Sequence, residues 1–388
     1  MGSVRCSSFV KINAAAATLL LSLHLLLSSP TAAIDDEETI ISRFQAYLRI
    51  NTSHPSPNYR EAADFLVDQA RSIGLWYQTV EFAEGKLRQY LEAVRRLKAS
   101  RFQPLRSIYI SFVPDEEIGG NDGAALFVNS TLFSNMNVGI ALDEGMANPG
   151  ETYRPFYGER SPWWLVINAT GEPGHGSGLY DNSAAENLQK SLEAMRRFRA
   201  SQFDLVKSGN RSEGEVVSVN LAFLKAGTPT PTGFVMNTQP SEALAGFDIR
   251  VPPTADPDSL DRRIEEEWAP TSRNMTSWFE LKVPVRDKFG RPMATRTDGS
   301  DPWWTMLEEA VTQAGEKLGR PEIFPASTDA RYFREQGVPA IGFSPMANTP
   351  ILLHDHNEFL NRQVYLRGID VYEKIIKAYA SYAEHTSY

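Results

Sequence analysis

Residues 107–129 read SIYISFVPDEEIGGNDGAALFVN. The opening SIYISFV is β-branched and aromatic, with the pattern of a strand buried on both faces. Three acids follow at once, Asp115, Glu116 and Glu117, and then the pair Gly119-Gly120. After these glycines the chain turns back into apolar residues at helical spacing. A strand that passes into a helix through such a turn is the repeating unit of a parallel α/β sheet. Ligands of open α/β sheets collect beyond the carboxyl ends of the strands, which is where these acids lie.

The same alternation extends in both directions. Upstream, residues 35–50 and 59–74 have the periodicity of helices, the second stopped by Gly74. LWYQTVEF (75–82) reads as a strand, and LRQYLEAVRRLKAS (87–100) as a helix with a cationic end. Downstream, VGIALDEG (138–145) is another strand ending in acids. From about Glu159 the order changes to strand, helix, strand, strand, helix, strand, ending near TSWFELKVPV (276–285). From Arg291 the first pattern resumes and runs to a final helix (QVYLRGIDVYEKIIKAYASYAE, 363–384). The expected fold class is therefore α/β: a mostly parallel sheet with helices on both faces, interrupted by an inserted βαββαβ unit. The larger domain takes residues 34–158 and 291–388, and the insert takes residues 159–290.

Composition narrows the function. The chain has 388 residues, 22% charged and 42% hydrophobic, which excludes a disordered chain. With 48 acidic against 39 basic residues it has no polybasic field, which argues against nucleic acid as a partner. Its single cysteine, Cys6, excludes a disulfide framework and a cysteine-based zinc finger. Residues 1–33 have Arg5 and Lys11 in front, an apolar run at 14–27 and small residues before Ile34, the parts of a secretory signal peptide. The apolar run is short for a bilayer span, so no stable membrane span is expected once it is removed. Five N-x-S/T sequons, at Asn51, Asn129, Asn168, Asn210 and Asn274, fit entry into the secretory pathway, to the endoplasmic reticulum or the exterior. A cytoplasmic protein is the alternative if the N-terminal segment is not used as a signal.

Three expected strand ends carry metal-ligand chemistry. They are Asp115-Glu116-Glu117, Asp143-Glu144, and the run His354-Asp355-His356-Asn357-Glu358. Taken singly, the acids suit a helix start or a turn, and a histidine is a common surface residue. Together, carboxylates and histidine at the ends of one sheet point to a carboxylate/histidine metal centre, with zinc as the ion. GEPGHGSG (171–178) is glycine-rich but lacks the lysine of a phosphate loop, and it reads better as a loop presenting His175.

VPDEEIGG, ALDEG, FYGERSPWW, GEPGHGS, STDARYFR, IGFSPMANTPILLHDHNEF and YLRGIDVY together resemble the aminoacylase-1 group of the dinuclear zinc aminoacylase/carboxypeptidase family, from about Ile40 to Ala383. The resemblance implies an amidohydrolase that cleaves an N-acyl-L-amino acid into an L-amino acid and a carboxylate, with two zinc ions per chain. It implies Glu116 as general base, Glu117, Glu144 and His354 as zinc ligands, and Asn237, Arg250 and Arg331 near the substrate. It also makes the insert a lid and dimerisation domain, whose His175 serves the partner's site in a homodimer.

One departure is large. The family carries a His-x-Asp motif and then a zinc-bridging aspartate between the strand at 75–82 and the helix YLEAVRRLK at 90–98. Here only AEGKLRQ joins them, so the larger domain is internally truncated near residues 83–90. One zinc site would keep Glu117 and His354, the other Glu144 alone, whereas a catalytic zinc normally has three protein ligands. Zinc is therefore expected in smaller number or weakly held, a strand is expected to be missing from the sheet, and activity is expected to be impaired. Two alternatives stand beside this. The chain is a non-catalytic homologue that dimerises with a full-length aminoacylase through its lid, or the sequence is an incomplete gene model of an ordinary aminoacylase.

Overall fold

The computed structural model describes residues 7–12, 35–52, 56–80 and 89–383. Its architecture is α/β. Strands β4 (Ala141–Asp143), β5 (Pro155–Glu159), β14 (Glu322–Phe324) and β15 (Ala340–Phe343) form one sheet in the order β14-β5-β15-β4. The β14–β5 and β15–β4 pairs are parallel, and β15–β5 is antiparallel. A second sheet has the order β2-β1-β3, with β1 (Ser7–Ile12) antiparallel to both β2 (Trp76–Val80) and β3 (Ile108–Phe112).

Two features differ from the sequence expectation. The single sheet is divided in two, and its first part has at its centre a strand from the segment read as a signal peptide. Val10 of β1 lies opposite Tyr77 on one side and Ile110 on the other. Strand β1 stands between β2 and β3.

Helices cover the sheets because their apolar residues recur on one face. In α10 (Arg362–Ala380) Leu366, Ile369, Tyr372, Ile376 and Tyr379 are buried, and Asn361 caps its start by accepting from the Gln363 amide. Helix α8 (Pro302–Gln313) begins with Asp301 accepting from the Trp303 and Trp304 amides, with Pro302 in its first turn. These two helices share a core with α1 (Glu37–Leu48), α2 (Tyr59–Ile73) and α3 (Gln89–Ala99). A smaller cluster gathers Phe127 of α4 (Ala124–Val128) and Phe133 of α5 (Thr131–Met136) against Phe333 of α9 (Ala330–Glu335). Among the described residues no helix is long and apolar enough to cross a membrane.

The inserted unit is a four-stranded antiparallel sheet, β13-β6-β12-β8, backed by α6 (Ala184–Lys207). Its main elements follow the order β6 (Ser161–Thr170), α6, β8 (Ser218–Ala226), β12 (Glu242–Val251), α7 (Pro257–Arg263), β13 (Met275–Lys282). Period-two alternation puts Trp163, Leu165, Ile167 and Ala169 of β6 into one core with Leu188 and Met195 of α6. The two-stranded ribbons β9 (Pro229–Thr230) with β10 (Gly233–Phe234), and β7 (Gly174–His175) with β11 (Thr238–Gln239), complete the unit.

A buried ion pair ties the strands to α9. The Arg334 guanidinium donates to the Ala340 carbonyl at 2.8 Å and lies 3.7 Å from the Glu159 carboxylate, which accepts from the Thr328 amide and hydroxyl. Both side chains are almost fully buried. Removing one partner strands the other charge in a low-dielectric interior. Arg334→Met is expected to cost ~3–5 kcal/mol in urea unfolding. Arg197→Ala, which breaks the exposed pair with Glu193 on α6, is expected to cost less than about 0.5 kcal/mol. Similar losses for the two variants would contradict this ranking.

Candidate metal and hydrolase site

The local backbone around the three acids is unusual, and the sequence explains it. Asp115 has φ 51° and Gly119 and Gly120 have φ 112° and 61°, so the chain after β3 makes a tight left-handed turn. A Cβ at Gly120 would collide with the Asp329 carboxylate. The pair of glycines therefore lets this loop close onto the start of α9. Arg331 holds it there: its guanidinium donates to the Gly119 carbonyl at 2.6 Å, and the Tyr332 hydroxyl donates to the same oxygen.

The acids converge on one cavity of about 750 Å³, which runs between β3 and β4. Asp115, Glu116, Glu117, Asp143, Glu144, Asp329 and His354 all line it. His354, in the left-handed region at φ 63°, comes from the loop between β15 and α10, and its Nε2 lies 3.0 Å from the Glu117 carboxylate. Four chain segments, at 115–117, 143–144, 329 and 354, thus meet at the strand ends.

Six carboxylates line the cavity, and burial raises three of them. Burial, with Glu117 and Asp143 adding like charge, pushes the Glu116 carboxyl up to about 7. Burial and the neighbouring Asp143 and Glu116 push Asp329 up to about 9. Burial also raises Asp143. One oxygen of Asp143 and both oxygens of Asp329 are buried without a hydrogen-bond partner. Such a cluster needs a proton or a cation to balance it.

Among the described residues the donor set does not fit a bridged pair of metal ions. Glu117 and His354 make a two-ligand pair, but among the described residues no three His, Cys, Asp or Glu side chains close around one point. The whole sequence contains no His-x-Asp. Glu144 shares the cavity on the β4 side.

The other expected site residues are elsewhere. His175 and Asn237 are neighbours in the insert, joined by the Gly176 amide donating to the Asn237 carbonyl, and His175 is exposed with Nδ1 2.8 Å from the Ser177 hydroxyl. Neither lines the cavity. Arg250 is paired with Asp248 on the same strand at 2.8 Å. The sequence reading assigned no role to Asp329 or to the Glu159–Arg334 pair. Both lie within or beside quoted strings (STDARYFR, FYGERSPWW), but nothing in a linear pattern reports that a carboxylate will be buried.

The comparisons with known proteins bear on the family and the fold. The profile of peptidase family M20/M25/M40 matches residues 83–378. Aminoacylase-1A of Rattus norvegicus is 36% identical over 411 aligned positions, covering 90% of this chain and 98% of that protein. An M20 family metallo-carboxypeptidase of Sulfolobus solfataricus superposes with a TM-score of 0.58 at 12% identity, covering 89% and 99% of the two chains. A dinuclear metal-binding M20 peptidase of Bacillus subtilis superposes with a TM-score of 0.51 at 13% identity, covering 74% and 69%.

Asp329 offers a test of the charge balance that needs no substrate. Its folded pKa lies above its unfolded value near 3.8, so its contribution is most favourable below pH 4 and declines as pH rises toward 9. With a chelator present, Asp329→Asn is expected to stabilise the protein by ~1 kcal/mol or more at pH 7 and by nothing at pH 4. A thermal-unfolding difference that does not change with pH would contradict the buried, protonated carboxyl.

Proposed function

The chain belongs to peptidase family M20/M25/M40, in its aminoacylase-1 group, and from that premise we propose that it is a metallo-amidohydrolase of N-acyl-L-amino acids whose activity is impaired by its incomplete metal-ligand set. The observation that carries this is the pairing of Glu117 with His354 without a third ligand beside it among the described residues. The alignment with the rat relative supports it as well. At 411 positions it is longer than the 388-residue chain, so stretches of the relative have no counterpart here.

The retained residues have defined tasks in such a site. Glu116, with a carboxyl near neutral pKa, is suited to accept a proton from an attacking water and return it to the leaving amine. In the family, zinc supplies a Lewis acid that polarises the amide carbonyl. Glu117, Glu144 and His354 are the side chains of this chain that would hold it. Arg331 holds the Glu116 loop through its hydrogen bond to the Gly119 carbonyl. The two arginines assigned to the substrate carboxylate are thus both engaged within the protein, Arg250 with Asp248 and Arg331 with Gly119.

A second reading rests on the insert. On its edge strand β8, Leu221, Phe223 and Leu224 are about half exposed, a row of apolar groups suited to pairing with a second chain. In this reading the chain dimerises, with itself or with an intact aminoacylase, and offers His175 to the other subunit's site. Entry into the secretory pathway accompanies both readings; Asn51, Asn129, Asn210 and Asn274 of the five sequons are exposed, while Asn168 is half-buried within β6.

Hydrolysis of N-acetyl-L-methionine by the full chain with added zinc separates these. The expected rate is lower by at least about 10²–10³ than that of a relative with its full ligand set, the scale of losing one transition-state stabiliser. Full zinc-dependent turnover would show that other side chains, such as His54 or His356, complete a working centre, and would overturn the reading. Stable heterodimers with an intact chain, alongside the low rate, are expected only if β8 and His175 serve a partner.

A further inference from the structure

The cavity is far larger than an acetyl group requires, and most of it is not acidic. It follows β3 back from the acids through residues 107–111, which all line it, a run of about 16 Å at strand rise. On the opposite side it follows residues 136–144. Its walls away from the acids are apolar, among them Ile108, Met136, Ile140, Phe133, Trp303 and Ile376. They come from both the main core and the Phe127 cluster, so the cavity separates the two. Strand β4 shows the consequence: Ile140, Ala141 and Leu142 are only half-buried, while every residue of the neighbouring β15 is buried. Arg106 closes the far end, its guanidinium stacked over the Trp303 and Tyr382 rings.

We propose that this slot is an acyl-chain site, and that the substrates this chain binds best are N-acyl amino acids with a long aliphatic acyl group, of about ten to twelve carbons by the length of the slot. This rests on reading the acidic cluster as the hydrolase site, which sets the amide at the strand ends and sends the acyl chain along β3. An acetyl group would reach only the acidic mouth and leave the apolar walls wet. A longer chain covers them and displaces that water. Each buried methylene tightens binding about fourfold, or about 0.8 kcal/mol.

Calorimetry of the full chain with N-acetyl-, N-octanoyl- and N-dodecanoyl-L-methionine, each below its micelle-forming concentration, tests this. The dodecanoyl compound is expected to bind at least about a hundredfold tighter than the acetyl one. Ile140→Trp, which fills the slot midway, is expected to abolish that gain. Met136→Trp provides the same obstruction from a helix end if the first variant does not fold. Affinities within about threefold across the wild-type series would overturn the proposal. So would a long-chain gain that neither tryptophan reduces. Because binding is read, the two readings fail separately. A chain-length gain without hydrolysis supports the slot and counts against the hydrolase, and hydrolysis of the acetyl compound with a flat series does the reverse.

Discussion

Six carboxylates share one cavity at the strand ends, and the rest of the site depends on what balances their charge. Two devices are visible. Protonation covers part of it, since burial holds Asp329 and Glu116 well above the ordinary carboxylate range. Fixed cations cover another part, since Arg331 and Arg334 lie buried behind the cluster and face Glu159 and the loop of Gly119. What remains is the Glu117–His354 pair at the mouth, half-exposed and directed at each other. A divalent ion suits that pair, but two protein ligands hold such an ion far less firmly than three or four.

The described strands form separate sheets, and the sequence contains no His-x-Asp. In this arrangement β4 is half-buried, β1 occupies the central position of its sheet, and an apolar slot opens between β3 and β4.

Much of this was legible in the sequence, for reasons that differ by feature. The strand–acid–helix pattern at 107–129 places the acids correctly at a strand end, because strand burial and turn chemistry are local. The βαββαβ order of the insert is legible for the same reason: β6 and α6 carry their periods openly in SPWWLVINAT and AAENLQKSLEAM. His354 meeting Glu117 was read from family resemblance, since nothing local joins residues more than two hundred positions apart. The burial of Asp329 and the Glu159–Arg334 pair went unread because it depends on how α9 docks on β5. The strand at Ser7–Ile12 went unread because its residues read as the head of a secretory signal and its pairing with β2 and β3 is non-local.

On the function proposed above, this chain keeps the family fold without a bridged metal pair. The most direct measurement is the zinc content of the purified full-length protein after exhaustive dialysis, by elemental analysis. The account predicts at most one zinc per chain, removable by a mild chelator, with the folded structure retained. Two tightly held zinc ions per chain would contradict it.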